Sequence, residues 1–393
     1  MDLPIVFLTL GGLFSAGLVA DLVGRRAFLP RVTLLLACGI VAGRSGLDLL
    51  PETAVAWYDF LSVTALTMVA FLLGGALTST NLAAHGRVIL WISISVALVT
   101  WAVVATGLWG LGMDPRLAII LGAIATATAP AATMDVLRQS GVTSSFTETL
   151  KGVVAIDDVW GLIVFSLSLA LVGMFDGVPA HQAMQHAAWE IGGAVVLGLV
   201  IGLPAAFVTG RISAGDPLRT EALAIVFLTA GLSIWLGVSF LIAGMTAGAV
   251  IVNVARHHER AFHEIEHFQW PFMILFFVLA GASLEVASLV ELGAIGAAFV
   301  ILRIISRLVG AWLGALLGRA PAAEIRWYGV ALLPQAGVAV GMALIAGEVL
   351  PDLAKPVLTV TIASTVLFEL IGPFATLFAV RHVSEATRSS KRS

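Results

Sequence analysis

Charge is what this sequence has least of. Only 11% of its 393 residues are charged, while 59% are apolar and the mean hydropathy is +1.03. A soluble domain covers its surface with about 25% charged residues, so the scarcity excludes an ordinary globular protein and leaves an integral membrane protein. Cysteine is nearly absent. Cys38 stands alone, which rules out an intrachain disulfide framework, and no cysteine and histidine cluster has the spacing of a structural zinc site. Linkers, low-complexity tracts and charge runs are also missing, so residues 1–393 read as a single membrane domain with a short basic tail at 381–393. The formal net charge of −3 says nothing about partners, since in a membrane protein placement matters more than the sum. Nucleic acid is not expected as a partner.

What is present in abundance is apolar sequence. The N-terminal stretch lacks the lysines and the small-residue cleavage site of a removed signal, so Leu3 to Leu22 reads as a first permanent span. Apolar runs at 3–23, 29–44, 55–78, 86–110, 115–138, 149–173, 184–210, 218–236, 238–255, 269–284, 289–318, 325–347 and 357–380 then predict about thirteen transmembrane helices in an all-α polytopic protein. The second run is interrupted by Arg31, and the eighth and ninth are nearly continuous across Gly237. Thirteen spans put the termini on opposite faces. With the N-terminus outside and the C-terminus cytoplasmic, the inner face collects sixteen lysines and arginines, and the outer face holds Arg44, Arg116 and Lys355, as the positive-inside rule requires.

The remaining charges are the informative ones, because a charged side chain at mid-membrane costs about 2.5–3.5 kcal/mol on insertion scales. Span six carries Asp157 and Asp158 side by side, span eleven carries Arg303 and Arg307, and span thirteen carries Glu369. Adjacent helical residues point about 100° apart, so the two aspartates cannot face each other and are free to serve two partners. Arg303 and Arg307, four apart, share a face, and either could pair with an aspartate or simply hold the bundle together. For Glu369 a structural and a functional role are both open.

Two spans look broken. Span five contains Thr126-Ala127-Thr128-Ala129-Pro130-Ala131-Ala132-Thr133, and span twelve contains Leu333-Pro334-Gln335-Ala336-Gly337. Proline deletes a helical hydrogen bond, and freed backbone is tolerated at membrane depth only where it is buried or lines a cavity. Two breaks therefore predict one cavity. Because they are seven spans apart, they match an inverted repeat of spans 1–6 and 8–13. The same offset carries the Asp157 span onto the Glu369 span. Inverted-repeat transporters place their ion site where two discontinuous helices cross.

These segments, together with Ile156-Asp157-Asp158-Val159, Phe276 to Leu284, Arg303 to Gly310 and Phe368 to Pro373, resemble the cation/proton antiporter superfamily, and within it the bacterial sodium/proton antiporters with an Asp-Asp motif. The resemblance runs over nearly the whole chain. It implies a homodimer in a bacterial inner (plasma) membrane, with core and dimerisation subdomains interleaved in sequence and an elevator-type movement. It also implies that Asp158 binds ion and protons with Asp157 as its partner, and that exchange is electrogenic. One departure stands out: several relatives have a lysine in span eleven, whereas both candidate positions here are arginine, which does not release its proton at usable pH. If two protons move per cycle, Asp157 and Asp158 should carry them.

The expected chemistry is competition between H+ and Na+ (or Li+) for buried carboxylates, with no cofactor and no enzymatic step. Sodium prefers oxygen, so the expected shell is Asp158, Asp157, the hydroxyl of Thr126 or Thr128, backbone carbonyls around Ala127 and Ala129, and water. The N-termini of the broken helices would offset charge through their dipoles. The segment from Arg256 to His267 holds four of the eight histidines and reads as an interfacial helix, with pH sensing and metal binding at His263 and His267 as alternatives. Asp135 and Arg138 read as a surface ion pair or an ion guide. A K+/H+ antiporter or K+ efflux protein would share the fold, but it usually has a single acid in span six and a nucleotide-binding domain. An intramembrane aspartyl protease would need aspartates on separate helices.

Overall fold

A computed structural model describes residues 3–27, 31–51, 57–175, 180–208, 216–255, 258–283, 293–335 and 337–390. No strand occurs among them. The helices are α1 (Leu3–Ala27), α2 (Arg31–Ala42), α3 (Tyr58–Ala76), α4 (Ser79–Gly110), α5 (Pro115–Ile124), α6 (Pro130–Ser140), α7 (Ser145–Phe175), α8 (Ala180–Val208), α9 (Asp216–Leu236), α10 (Phe240–Val254), α11 (His258–Ser283), α12 (Gly293–Gly318), α13 (Trp327–Ala331), α14 (Gly337–Val349) and α15 (Ala354–Ser390). Seven are long and apolar enough to cross a membrane by themselves, and six shorter apolar helices accompany them. Large apolar side chains such as Phe7, Leu8, Trp109, Phe207, Trp235 and Phe378 lie exposed on the outside, the reverse of a soluble protein and the surface that lipid would cover.

Local chemistry explains the boundaries. The two nearly continuous runs are cut at Gly237, whose φ of +66° is left-handed and suits glycine; Ser239 then caps α10 by accepting from the Ile242 amide at 3.3 Å. Arg31 does not interrupt the second run but starts α2. The chain after Arg381, expected as a tail, stays helical to Ser390, and residues 391–393 lie outside the described part. Arg256 and His257 also lie outside it, while from His258 the helix runs unbroken into the apolar part of α11.

The helices form two interleaved groups. In one, α12 packs along α4, which also packs on α5 and α7, while α15 packs on α13 and α14. Gly314 is required there, since a Cβ on it would stand 2.5 Å from the Ile92 Cα of α4; Gly310 and Gly318, one turn to either side, continue a small-residue stripe. In the other group α10 packs on α3 and α8, and α11 packs on α2 and α3. The helices α6 and α7 of the first group face α3 of the second, and α15 and α6 face α2.

Candidate ion-binding site

The site is assembled where two helices stop. Asp114 caps α5, accepting from the Arg116 amide at 2.8 Å, with Pro115 as the first helical residue. The helix tightens at its end, with Thr126 N bonding to Ala123 O at 3.1 Å and Ala127 N to Ile124 O at 3.2 Å. Ala129 is extended (φ −118°, ψ 82°), and Pro130, which needs no amide partner at a helix start, opens α6. The second break follows the same plan: α13 ends at Ala331, and α14 begins at Gly337. Both breaks fall where the sequence puts them. They lie against each other, since Gln335 Nε2 donates to Ile124 O at 3.4 Å.

The ends of α5 and α13 leave carbonyls without helical donors, and both buried arginines of α12 supply them. Arg303 donates from Nε to Ala125 O (3.1 Å), from Nη2 to Ala127 O (2.9 Å) and from Nη1 to Leu333 O (2.9 Å). Arg307 donates from Nε to Leu332 O (3.1 Å), from Nη1 to Thr126 O (3.3 Å) and from Nη2 to Asp157 Oδ2 (3.1 Å). Each guanidinium therefore spans both breaks. Each is 0% exposed. Arg307 is the partner of Asp157; Arg303 touches no carboxylate among its bonds and is covered by the Phe368 ring at 4.2 Å.

Asp158 takes the other direction. Its Oδ1 accepts from Thr128 Oγ1 at 3.3 Å, and its side chain lines a small cavity of about 20 Å³ with Pro130, Ala155, Val69, Met245 and Val338, room for about one water. Of the two threonines left open by the sequence, Thr128 faces the acid, while the Thr126 hydroxyl is spent on Ala123 O at 2.6 Å. The Ala127 carbonyl, expected to face a cation, accepts from Arg303. Ala129 and Thr133 are buried beside the break, and the Thr133 amide bonds to Ala129 O at 3.0 Å. Asp157 Oδ1 has no hydrogen-bond partner. Glu369 is 5% exposed and bonds to neither arginine, and its Oε2 is without a partner.

One helical face leads from Asp158 to the surface. Lys151, Ala155 and Asp158 are spaced four and three apart on α7; Lys151 lines a cleft of about 560 Å³ with Leu72, Met134, Arg138, Glu148 and Glu266, between α3 and α11 on one side and α6 and α7 on the other. Arg138, which lines this cleft, and Asp135 do not form the expected surface pair. Asp135 is 6% exposed and pairs with Arg31 of α2 at 2.6 Å, whereas Arg138 reaches across to Gln269 and, at 3.4 Å, to Glu266 of α11. Neither partner is legible from spacing, because each lies more than a hundred residues away.

Set against known proteins, the sequence profile of the family described as "Sodium/hydrogen exchanger, transmembrane" matches residues 10–380. The chain belongs to that family. The exchanger is 23% identical over 292 residues to "Probable Na(+)/H(+) antiporter 2" of Methanocaldococcus jannaschii, covering 70% of this chain and 68% of that relative. It is 22% identical over 336 residues to "Ammonium/H(+) antiporter subunit AmhT" of Alkalihalophilus pseudofirmus, covering 81% and 80%. Its fold matches that of the sodium proton antiporter MjNhaP1 from Methanocaldococcus jannaschii, with a TM-score of 0.75 at 19% identity over 98% of this chain and 97% of the other. These relatives are named as antiporters, and the family to which the chain belongs is one of transmembrane sodium/hydrogen exchangers.

Proposed function

We propose that the chain exchanges Na+ or Li+ for H+ across a bacterial inner (plasma) membrane, with cation and proton competing for Asp158. The observation that carries this is the division of labour in the acid pair. Asp157 is held by Arg307 at 3.1 Å, while Asp158 meets Thr128, whose hydroxyl donates to it at 3.3 Å, with room for a water, at the inner end of the α7 face that leads to the cleft. A carboxylate so placed accepts either a proton or a small hard cation, not both. The shell would be completed by Thr128 and water, and the N-terminal end of α6, starting at Pro130, adds its positive dipole.

Transit follows from the two groups of helices. The core would be α4 to α7 with α12 to α15, and the scaffold, which also carries the homodimer contact, α1 to α3 with α8 to α11; sliding of one against the other exposes Asp158 to alternate faces in an elevator movement. The contacts support an inverted repeat within thirteen crossings. The packing of α2 on α11 corresponds to that of α10 on α3, seven spans along, and the same offset relates Gly39 and Gly281 in the first pair to Gly248 and Gly74 in the second, all set against facing backbone. The distribution of basic residues supports a cytoplasmic C-terminus and an N-terminus outside.

Electrogenic exchange, as the adjacent aspartates imply, requires a second proton. The relatives' names include sodium and ammonium but not potassium, so a K+ cargo is the weaker reading. The test uses everted vesicles: Na+ added to wild-type vesicles collapses an imposed proton gradient, and Asp158→Asn abolishes the response. Retained exchange in that variant would move the site elsewhere.

A further inference from the structure

Once Asp158 is filled by a cation or a proton, the remaining buried charges at the site, Asp157 against Arg303 and Arg307, do not balance. Arg307 has Asp157, but Arg303 is satisfied by three carbonyls and no acid. Hydrogen bonds to carbonyls orient a guanidinium; they do not neutralise it, and an uncompensated buried charge is costly. The ring that covers Arg303 belongs to Phe368. The next residue on α15 is Glu369.

Glu369 sits in a polar column that backbone geometry has opened. The face of α15 turned to the second break is fixed by Phe368 on Arg303, by Gly372, where a Cβ would stand 2.6 Å from the Pro334 Cα, and by Thr376, whose hydroxyl donates to Ala331 O at 2.9 Å. Thr365 and Thr361 continue that face at four and eight residues before Glu369. Buried threonines in helices ordinarily donate to the carbonyl four residues back, yet here the Thr361 carbonyl accepts from Ser364 at 3.0 Å, and Thr361 Oγ1, Thr365 Oγ1, Glu369 Oε2 and Gln335 Oε1 are all buried without a partner. Pro373, inside α15, removes the amide that would have bonded to the Glu369 carbonyl. Three unsatisfied polar atoms on one face of α15, with a fourth at the second break on which that helix packs, mark a place for water. Side chains four apart on a helix are about 5–6 Å from each other, the gap that a single water bridges.

We propose that Glu369 is a second proton-carrying residue of the exchanger, hydrated through Thr365 and Thr361 and separate from Asp158. The proposal rests on the antiport reading above. Water in the column delivers a proton to the Glu369 carboxylate as hydronium, leaving water and a carboxylic acid, and the reverse transfer releases it on the other side. On the outer side the column runs about 12 Å from Glu369 to Thr361, eight residues at the helical rise. On the inner side Leu370 O accepts from Thr33 of α2 at 3.2 Å, two residues from Arg31 and the cavity of about 150 Å³ that Arg31 and Asp135 line. In the cation leg Asp158 with its cation is neutral, and ionised Glu369, without touching Arg303, brings the summed charge of the buried groups to zero. In the proton leg both Asp158 and Glu369 carry protons and the core bears one more positive charge. That difference is the electrogenic step.

The experiment is a null-point measurement on the full chain in proteoliposomes at clamped potential, reading protons per Na+. Wild type is expected to give two, Glu369→Gln one with Na+ exchange retained, and Glu369→Asp two. A wild-type ratio of one, or a ratio of two that survives Glu369→Gln, overturns the inference while leaving Asp158 in place. A wild-type chain that exchanges nothing overturns the antiport reading and this with it. Should Glu369→Gln fail to fold, Na+-minus-H+ infrared difference spectra of Thr365→Val decide: two protonated-carboxyl bands in wild type, one of them shifted in the variant, are expected. A single wild-type band, or two that the variant leaves unmoved, overturns it.

Discussion

Replacing Arg307 by methionine isolates the interaction that joins the two breaks. In the wild type its three bonds go to Asp157 Oδ2, Leu332 O and Thr126 O, at 3.1, 3.1 and 3.3 Å, in a place with no exposure to solvent. Breaking a buried ion pair by removing one partner costs about 3–5 kcal/mol because the other charge is left behind. Each orphaned carbonyl adds about 1–3 kcal/mol where water cannot reach it. A net loss of about 5 kcal/mol would lower the midpoint of heat denaturation by about 10 °C, at the roughly 2 °C per kcal/mol of a large domain. Most of that cost is the stranded carboxylate. The double variant Arg307→Met/Asp157→Leu should therefore be more stable than Arg307→Met alone, by about 3 kcal/mol, since an apolar pair of similar volume replaces a buried ion pair at little cost. The assay is thermal denaturation of detergent-solubilised protein across the four members of the cycle. Strictly additive effects would refute the reasoning, for they would mean that the two groups do not interact.

Three further outcomes follow from the same geometry. Thr128→Val should raise the Na+ concentration for half-maximal exchange about tenfold, the cost of about 1.4 kcal/mol for one lost oxygen ligand, while Thr126→Val, whose hydroxyl bonds only its own helix at 2.6 Å, should leave it within twofold; dequenching assays in vesicles read both. Gly314→Leu should prevent α12 from seating on α4 and abolish folded protein on size-exclusion chromatography, whereas Gly12→Leu, at a position with open space around it, should not. Glu324, in the turn before α13, accepts from Tyr328 at 2.7 Å, and burial pushes its carboxyl above the usual range. A raised folded-state value means stability that is fully present below the unfolded carboxyl value and lost as pH rises through the folded one. Glu324→Gln, which keeps an acceptor for Tyr328, should therefore flatten the fall in denaturation midpoint between acid and neutral pH, and an unchanged pH profile would contradict this.

How far the sequence reached depended on whether a feature is local. Helix breaks are local: Pro130 and Pro334 act on their own turns, and both breaks fall as read. The cut at Gly237 is local too. Partnership is not. A spacing of four establishes that Arg303 and Arg307 share a face, but only the crossing of α12 over both breaks makes Arg307 the partner of Asp157 and leaves Arg303 to carbonyls. The same limit misassigned Asp135, whose natural partner by spacing is Arg138 and whose partner in space is Arg31, 104 residues away. It also hid the use of the Ala127 carbonyl, which looks available to a cation until a guanidinium is found on it.

That last point changes what the broken helices are for. Read alone, each break offers a cation its bare carbonyls, and two breaks offer twice as many. Five of those carbonyls, at Ala125, Thr126, Ala127, Leu332 and Leu333, are instead taken by two arginines from a single helix. The negative ends of α5 and α13 are thereby neutralised, and what remains to face Asp158 is the positive end of α6 and the Thr128 hydroxyl. A site built this way favours an anion when empty, so its carboxylate must be filled, by a cation or a proton, largely through its own charge. It also ties the two halves of the chain together at their weakest points. The first half cannot satisfy its own break, because the donors for it come from the second, and the acid that pairs with one of those donors, Arg307, comes from the first.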